Sequence, residues 1–301
     1  MQKTLISIIG STGIGKTKLA IEMAKHFGTE IISCDSRQFF KEMKIGTATP
    51  TDEELAQAKH HFIGHLSVQD YYSIGQYEED ALEKIEEIFE KNDFAVLVGG
   101  SMMYEKAVVE GLNDLPEANA ENQEKLQKIL DEEGLEKLQE ILKNLDEEYY
   151  NVVHKENPRR LLRAIDVIWQ TGRKYSEIIA EPKHKRDFKV IRIGITAPRE
   201  IMYERINLRV DKMLENGLID EVKSLTEYQN LVPLQTVGYT EIFKYLEGTW
   251  DLDFAVEEIK KNSRRYAKRQ ETWNRKVENV TWLPYDYSEE QLHEILSKIE
   301  K

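Results

Sequence analysis

Short apolar runs alternate with helical patterns along the 301 residues of the chain. Thr4 to Ile9 is rich in β-branched residues, and after a glycine-rich turn Leu19, Ala20, Met23, Ala24 and Phe27 recur at helical spacing. That order reads strand, loop, helix. Similar runs at Glu30 to Cys34, Phe94 to Val98, Val190 to Ile195 and Val280 to Leu283 predict further buried strands, with helical patterns between them. The alternation predicts an α/β fold: a parallel sheet with helices on both faces. Two stretches are too long for simple crossovers. Leu126, Ile129, Leu130, Leu135, Leu138, Ile141, Leu142 and Leu145 mark amphipathic helices broken near Gly134, and a second helical stretch runs from Glu200 to about Trp273. We therefore expect a core over residues 1–114, an inserted helical subdomain over 115–186, and a continuation of the core over 187–301. Helices around 205–273 of that continuation are expected to form a lid.

Composition narrows the setting. No stretch approaches eighteen consecutive apolar residues, and MQKTLISIIG carries no small-residue cleavage site, so neither a membrane span nor a signal peptide is expected. A cytoplasmic monomer is the expectation. The single cysteine, Cys34, has no second thiol for a disulfide or a metal cluster and reads as a buried strand residue. His60, His61 and His65 lack a convincing carboxylate or thiol partner and read as loop packing.

Lys and Arg number 42 against 55 Asp and Glu, a net charge of −13, which on its own disfavours a general nucleic-acid binder. The distribution changes that picture. Lys260 to Lys276 holds eight basic residues and one acid, Glu271, and a second basic stretch contains Lys155, Arg159, Arg160 and Arg163. The acids crowd instead into Glu78 to Glu90 and Glu117 to Glu148. A polarised surface follows.

Gly10-Ser11-Thr12-Gly13-Ile14-Gly15-Lys16-Thr17 fits the phosphate loop G-x-x-x-x-G-K-T. In such a loop backbone amides wrap an anionic phosphate, Lys16 adds charge, and the Thr17 hydroxyl is the ligand for Mg²⁺. The loop calls for a diphosphate or a triphosphate without choosing between them. The apolar strand Phe94 to Val98 ends in Gly99-Gly100-Ser101, with no acid of the kind an ATPase would use there. The available acid is Asp35. Two readings stay open on these residues: a nucleotide or small-metabolite kinase, or a transferase with another diphosphate donor.

Six further runs bear on that choice: Asp35-Ser36-Arg37-Gln38, Met43 to Ala48, Leu97 to Ser101, Asn157 to Ala164, Val237-Gly238-Tyr239 and Ala267 to Trp273. In this order and spacing, from about residue 4 to residue 284, the chain resembles the tRNA dimethylallyltransferase family. The resemblance implies a P-loop kinase-like fold used for prenyl transfer. Its phosphate loop would hold dimethylallyl diphosphate, and the acceptor would be the exocyclic amine of the adenosine just 3′ of the tRNA anticodon.

By the same resemblance Asp35 matches the general base, and Ser36 and Gln38 match positions facing tRNA. Arg160 and Arg163 match arginines near diphosphate or RNA phosphate. We expect Asp35, Ser101 and Lys16 to act in catalysis, and residues 10–17 with Arg160 and Arg163 to bind phosphate. The tRNA is expected at Asp35, Ser36, Arg37, Gln38, Ser101, Arg159, Arg160, Arg163, Lys268 and Arg269. Ser11 and Ile14 depart from the usual loop, Ser101 replaces a common threonine, Thr49 and Gly64 replace a lysine and an aspartate, and Gln123 stands where an RNA-facing arginine is expected. A target adenine inside the anticodon stack must be unstacked to be reached, so base flipping is the expected mode.

Overall fold

The computed structural model describes residues 2–300. The strands are β1 (Thr4–Gly10), β2 (Ile31–Ser33), β3 (His60–His61), β4 (Phe94–Val98), β5 (Lys189–Thr196) and β6 (Val280–Pro284). All pair in parallel, in the order β3-β2-β4-β1-β5-β6. The five apolar runs in the sequence correspond to β1, β2, β4, β5 and β6. The helices are α1 (Lys16–Phe27), α2 (Asp52–Gln57), α3 (Ile74–Phe89), α4 (Met102–Glu110), α5 (Ala120–Glu133), α6 (Leu135–Leu145), α7 (Glu147–Val152), α8 (Pro158–Thr171), α9 (Tyr175–Ala180), α10 (Arg199–Glu215), α11 (Leu218–Ser224), α12 (Tyr239–Leu246), α13 (Leu252–Asn274) and α14 (Glu289–Ile299).

β1 lies between β4 and β5 and every one of its residues is buried. Its alternating side chains feed two cores. Ile6 and Ile8 join Leu19 and Met23 of α1 and Leu296 of α14 on one face, while Leu5 joins Ile85 of α3 and Ile242 of α12 on the other. Apolar strands covered on both faces explain why the sequence runs are continuous rather than alternating. Catalytic loops in such sheets gather beyond the carboxyl ends of the strands. Here those ends carry the phosphate loop, Asp35 and the Gly99-Gly100 turn.

Two compact units divide the chain: one combines residues up to Val109 with those from Arg186 onward, and the other is Glu110–Lys185. The second unit has its own core, with Leu126, Leu138, Leu142, Leu161 and Ile165 fully buried. Gly134 separates α5 from α6, as the break in the leucine pattern suggests. Among the described residues no helix is long and apolar enough to cross a membrane.

Candidate active site

The phosphate loop bends between β1 and α1 because Gly15, with φ of 112°, adopts a left-handed conformation just before the first helical residue. The turn leaves the first amides of α1 without helical partners, facing where an anion is favoured. Lys16 folds back along the loop and donates to the carbonyls of Gly10 at 3.0 Å and Ser11 at 2.8 Å. Burial pushes its amine down to about 8; the Asp35 charge opposes that shift and the Arg209 charge adds to it. Lys16 and Thr17 line a cavity of about 520 Å³ together with Asp35, Arg205, Arg209 and Lys212.

Asp35 follows β2, where its Oδ1 accepts the Arg37 N–H at 3.2 Å. That is its one side-chain hydrogen bond among the described residues. The β4 turn presses against it: a Cβ on Gly99 would lie 2.4 Å from the Cys34 carbonyl carbon, and one on Gly100 would lie 2.9 Å from Asp35 Oδ2. At Gly99 the clash is with backbone and requires glycine, whereas at Gly100 a side chain would displace the Asp35 carboxylate. Ser101 fastens the two loops, its Oγ accepting the Ser36 N–H at 3.0 Å and lying 2.9 Å from Ser36 Oγ. Arg37 donates to the carbonyls of Val232 and Pro233, and Gln38 to those of Thr47 and Ala48. Both side chains are tied to neighbouring loops.

α13 supplies the third wall. Gln270, fully buried, accepts the Thr12 N–H at 2.8 Å and donates to the Gly100 carbonyl at 2.7 Å. Tyr266 donates its hydroxyl to the same carbonyl at 2.9 Å; burial, with help from the Asp35 charge, pushes that phenol up to about 12. A second cavity of about 540 Å³ is lined by Ile206, Val210, Met213, Val237 and Tyr266, and it shares Thr12, Asp35 and Arg209 with the first. Two chambers thus meet at one carboxylate and one guanidinium.

Sequence reasoning missed Gln270 and the basic face of α10. Arg205 donates to the Gly13 carbonyl at 2.9 Å and Arg209 to that of Thr47 at 3.0 Å. Burial lowers the Arg209 pKa, against the pull of the Asp35 charge. The 205, 209, 212 spacing of basic residues places one helical face toward the loop, and that spacing was the available signal. Gln270 lies inside the Ala267 to Trp273 run that carries the family resemblance, but nothing local assigns that amide a role.

That run is divided by the structure. Lys260 pairs with Asp211 at 2.8 Å, Lys261 with Glu258 at 2.6 Å, and Arg264 donates to Asn207 at 2.6 Å. Arg265, Lys268, Arg269, Arg275 and Lys276 are exposed. Arg159 and Arg160 are exposed at the start of α8 in the second unit. Arg163 there pairs with the buried Asp166 at 3.2 Å and donates to the Pro116 carbonyl. Among the described residues no group of three or more His, Cys, Asp or Glu is arranged to hold a metal. His61 instead contacts Glu30, and His65 packs edge-on against Phe39 and Tyr72.

Comparison with known proteins bears on the whole chain. A family model described as IPP transferase matches residues 38–277. The tRNA dimethylallyltransferase of Christiangramia forsetii is 50% identical over 300 residues, 99% of both chains. The tRNA dimethylallyltransferase 1 of Bacteroides fragilis is 46% identical over 298 residues, covering 99% of this chain and 98% of the other. Among solved structures, the full-length tRNA isopentenylpyrophosphate transferase of Bacillus halodurans superposes with a TM-score of 0.73 at 35% identity, covering 99% and 96% of the two chains. A eukaryotic dimethylallyltransferase described as acting on tRNA gives a TM-score of 0.85 at 27% identity, covering 99% of this chain and 78% of that one. With its phosphate loop, its Asp35 turn and its α13 wall all within the matching span or beside it, the chain belongs to the IPP transferase family.

Proposed function

We propose that the protein transfers a dimethylallyl group from dimethylallyl diphosphate to the N6 amine of the adenosine 3′ to the anticodon of tRNA, releasing diphosphate. One observation carries this reading: the phosphate-loop cavity and the more apolar cavity beside it share Asp35. A donor in the first and a flipped adenine in the second would bring the allylic carbon and the amine to that carboxylate. A tRNA acceptor also points to a cytoplasmic setting.

The amine lone pair of adenine is delocalised into the ring, so it is a weak nucleophile. The new nitrogen–carbon bond forms as the allylic carbon–oxygen bond breaks, and Asp35 accepts the amine proton. Its sparse hydrogen bonding leaves lone pairs free for that proton. The electron pair of the broken bond leaves on diphosphate, where the loop amides, Lys16 and Arg209 offset the growing charge. Allylic delocalisation supports a loose transition state without a covalent enzyme intermediate.

Thr17 and Asp35 offer hard oxygen donors on the walls of the same cavity. Such a set suits Mg²⁺, which keeps several waters and is usually shared between one or two protein oxygens and substrate phosphate. Thr17 would hold the ion, which when bound adds positive charge beside the diphosphate.

Incubation of the protein with tRNA and either labelled dimethylallyl diphosphate or γ-labelled ATP tests the reading. Prenyl label in tRNA is expected. Phosphate transfer from ATP, with no prenyl transfer, would overturn it.

A further inference from the structure

A third cavity, of about 330 Å³, is lined by Gly10, Ser11 and Ile14 of the phosphate loop and by Asn274 and Trp282. Lys16, Thr17 and Asp35 do not line it, so it is separate from the two chambers described above. Ser11 and Asn274 are 4% and 5% exposed. Neither side chain has a hydrogen-bond partner among the described residues, and neither contributes a buried unpaired polar atom, so what polar surface each keeps is open to the cavity. An amide and a hydroxyl without protein partners thus line one cavity, free to bond an occupant that displaces solvent.

The remaining walls limit what that partner is. Glu271 and Arg275 contribute one charge of each sign, so there is no net positive field for a phosphate. A prenyl or other hydrocarbon chain would displace solvent from the Asn274 and Ser11 groups and offer them no partner. What fits is a neutral, flat group with adjacent donors and acceptors on its edge and an apolar face. Ile14, Ile195, Met202 and Val277 supply apolar walls. Trp282 supplies an aromatic surface, its ring packed over Gly194, where a Cβ would lie 2.4 Å from it.

We propose that this cavity binds a nucleobase, stacked against Trp282 with its edge read by Asn274 and Ser11. The base could be carried by a free nucleoside or by an unpaired nucleotide of bound RNA; the recognition chemistry is the same. Stacking of bases on aromatic side chains and amide contacts to base edges are the usual means of reading unpaired nucleotides. The site lies one helical turn beyond Gln270 on α13, so its occupant would adjoin the phosphate loop without entering it.

The test uses the full chain with inorganic diphosphate saturating the donor cavity. Adenosine, guanosine, cytidine and uridine are titrated in turn by calorimetry, and anticodon stem-loops carrying one abasic residue at each unpaired position are compared for affinity. In the free-nucleoside case one nucleoside binds saturably and Asn274→Leu weakens it at least tenfold. In the RNA case no nucleoside binds, but one abasic position weakens the wild type and leaves Asn274→Leu unaffected. Asn274→Asp, of equal size, is expected to change which base is preferred and serves if the leucine variant does not fold. Nucleoside binding that is indifferent to both substitutions overturns the proposal, as does an absence of both nucleoside binding and any abasic effect that depends on residue 274. Neither readout requires prenyl transfer, so failure here is distinct from failure of the proposed reaction.

Discussion

The side-chain carbonyl of Gln270 accepts the Thr12 N–H at 2.8 Å, joining α13 to the phosphate loop across 258 residues of sequence. Its amide also holds the Gly100 carbonyl, and Gly100 packs against the Asp35 carboxylate. One buried amide therefore sets the loop that would hold diphosphate against the turn that would remove the proton.

Gln270→Leu should leave the Thr12 N–H unmet, at about 1–3 kcal/mol, while Tyr266 continues to serve Gly100. Turnover should fall roughly tenfold or more, with stem-loop affinity little changed. Steady-state kinetics beside an equilibrium RNA-binding assay check this. Equal loss in both would indicate general misfolding, which thermal unfolding would report.

How far the sequence revealed this arrangement depends on how local each signal is. The β1 strand, the phosphate loop and the first turn of α1 are contiguous, so periodicity and glycine spacing expose them. β4 is legible for the same reason, since a strand covered on both faces must be apolar throughout. β3 was not legible: it is the pair His60–His61, which joins the sheet through backbone pairing with β2 and buries no apolar side chain. Gln270 lies among exposed Lys268, Arg269 and Thr272, and only the distant Thr12 and Gly100 make it a core residue. Lys260 and Arg264 read as free basic charge in sequence, yet their partners Asp211 and Asn207 come from α10. Long-range pairing is invisible to a window of sequence.

Arg209 should matter to the donor more than to the RNA. Its guanidinium lines both chambers and makes one hydrogen bond among the described residues, to the Thr47 carbonyl. Loss of a charge-assisted contact to diphosphate is worth about 1.5–3 kcal/mol. Arg209→Ala should accordingly raise the donor KM, lower kcat, or both, with kcat/KM falling at least tenfold, while the RNA dissociation constant stays near its wild-type value. Titration of each substrate separately distinguishes the two.

Donor affinity should depend on pH through Lys16. With its amine pushed down to about 8, the side chain is charged below that pH and neutral above it, so diphosphate binding should weaken as pH rises from 7 to 9. Lys16→Arg stays charged over the same range and reports any contribution from titration of the donor itself. Identical pH profiles for the two proteins would place the effect outside Lys16.

Exposed basic residues on α13 should act through RNA phosphates. Log affinity for tRNA is expected to fall linearly with log salt, and reversing charge at Lys268 and Arg269 together should lower the slope by about one to two units. Donor affinity should barely respond. A salt titration with wild type and the double variant measures this, and an unchanged slope would assign both residues to the fold rather than to RNA.

The meeting of two chambers at Asp35 is tested by a single-turnover measurement with donor and anticodon stem-loop both prebound. Asp35→Asn keeps the size of the side chain and a carbonyl able to accept the Arg37 N–H, but removes the carboxylate that would take the amine proton. Transfer of the dimethylallyl group should slow by roughly 10² or more, with stem-loop affinity little changed. A transfer rate near that of the wild type would contradict a proton-accepting role for Asp35 and, with it, the reading of the shared carboxylate as the point of reaction.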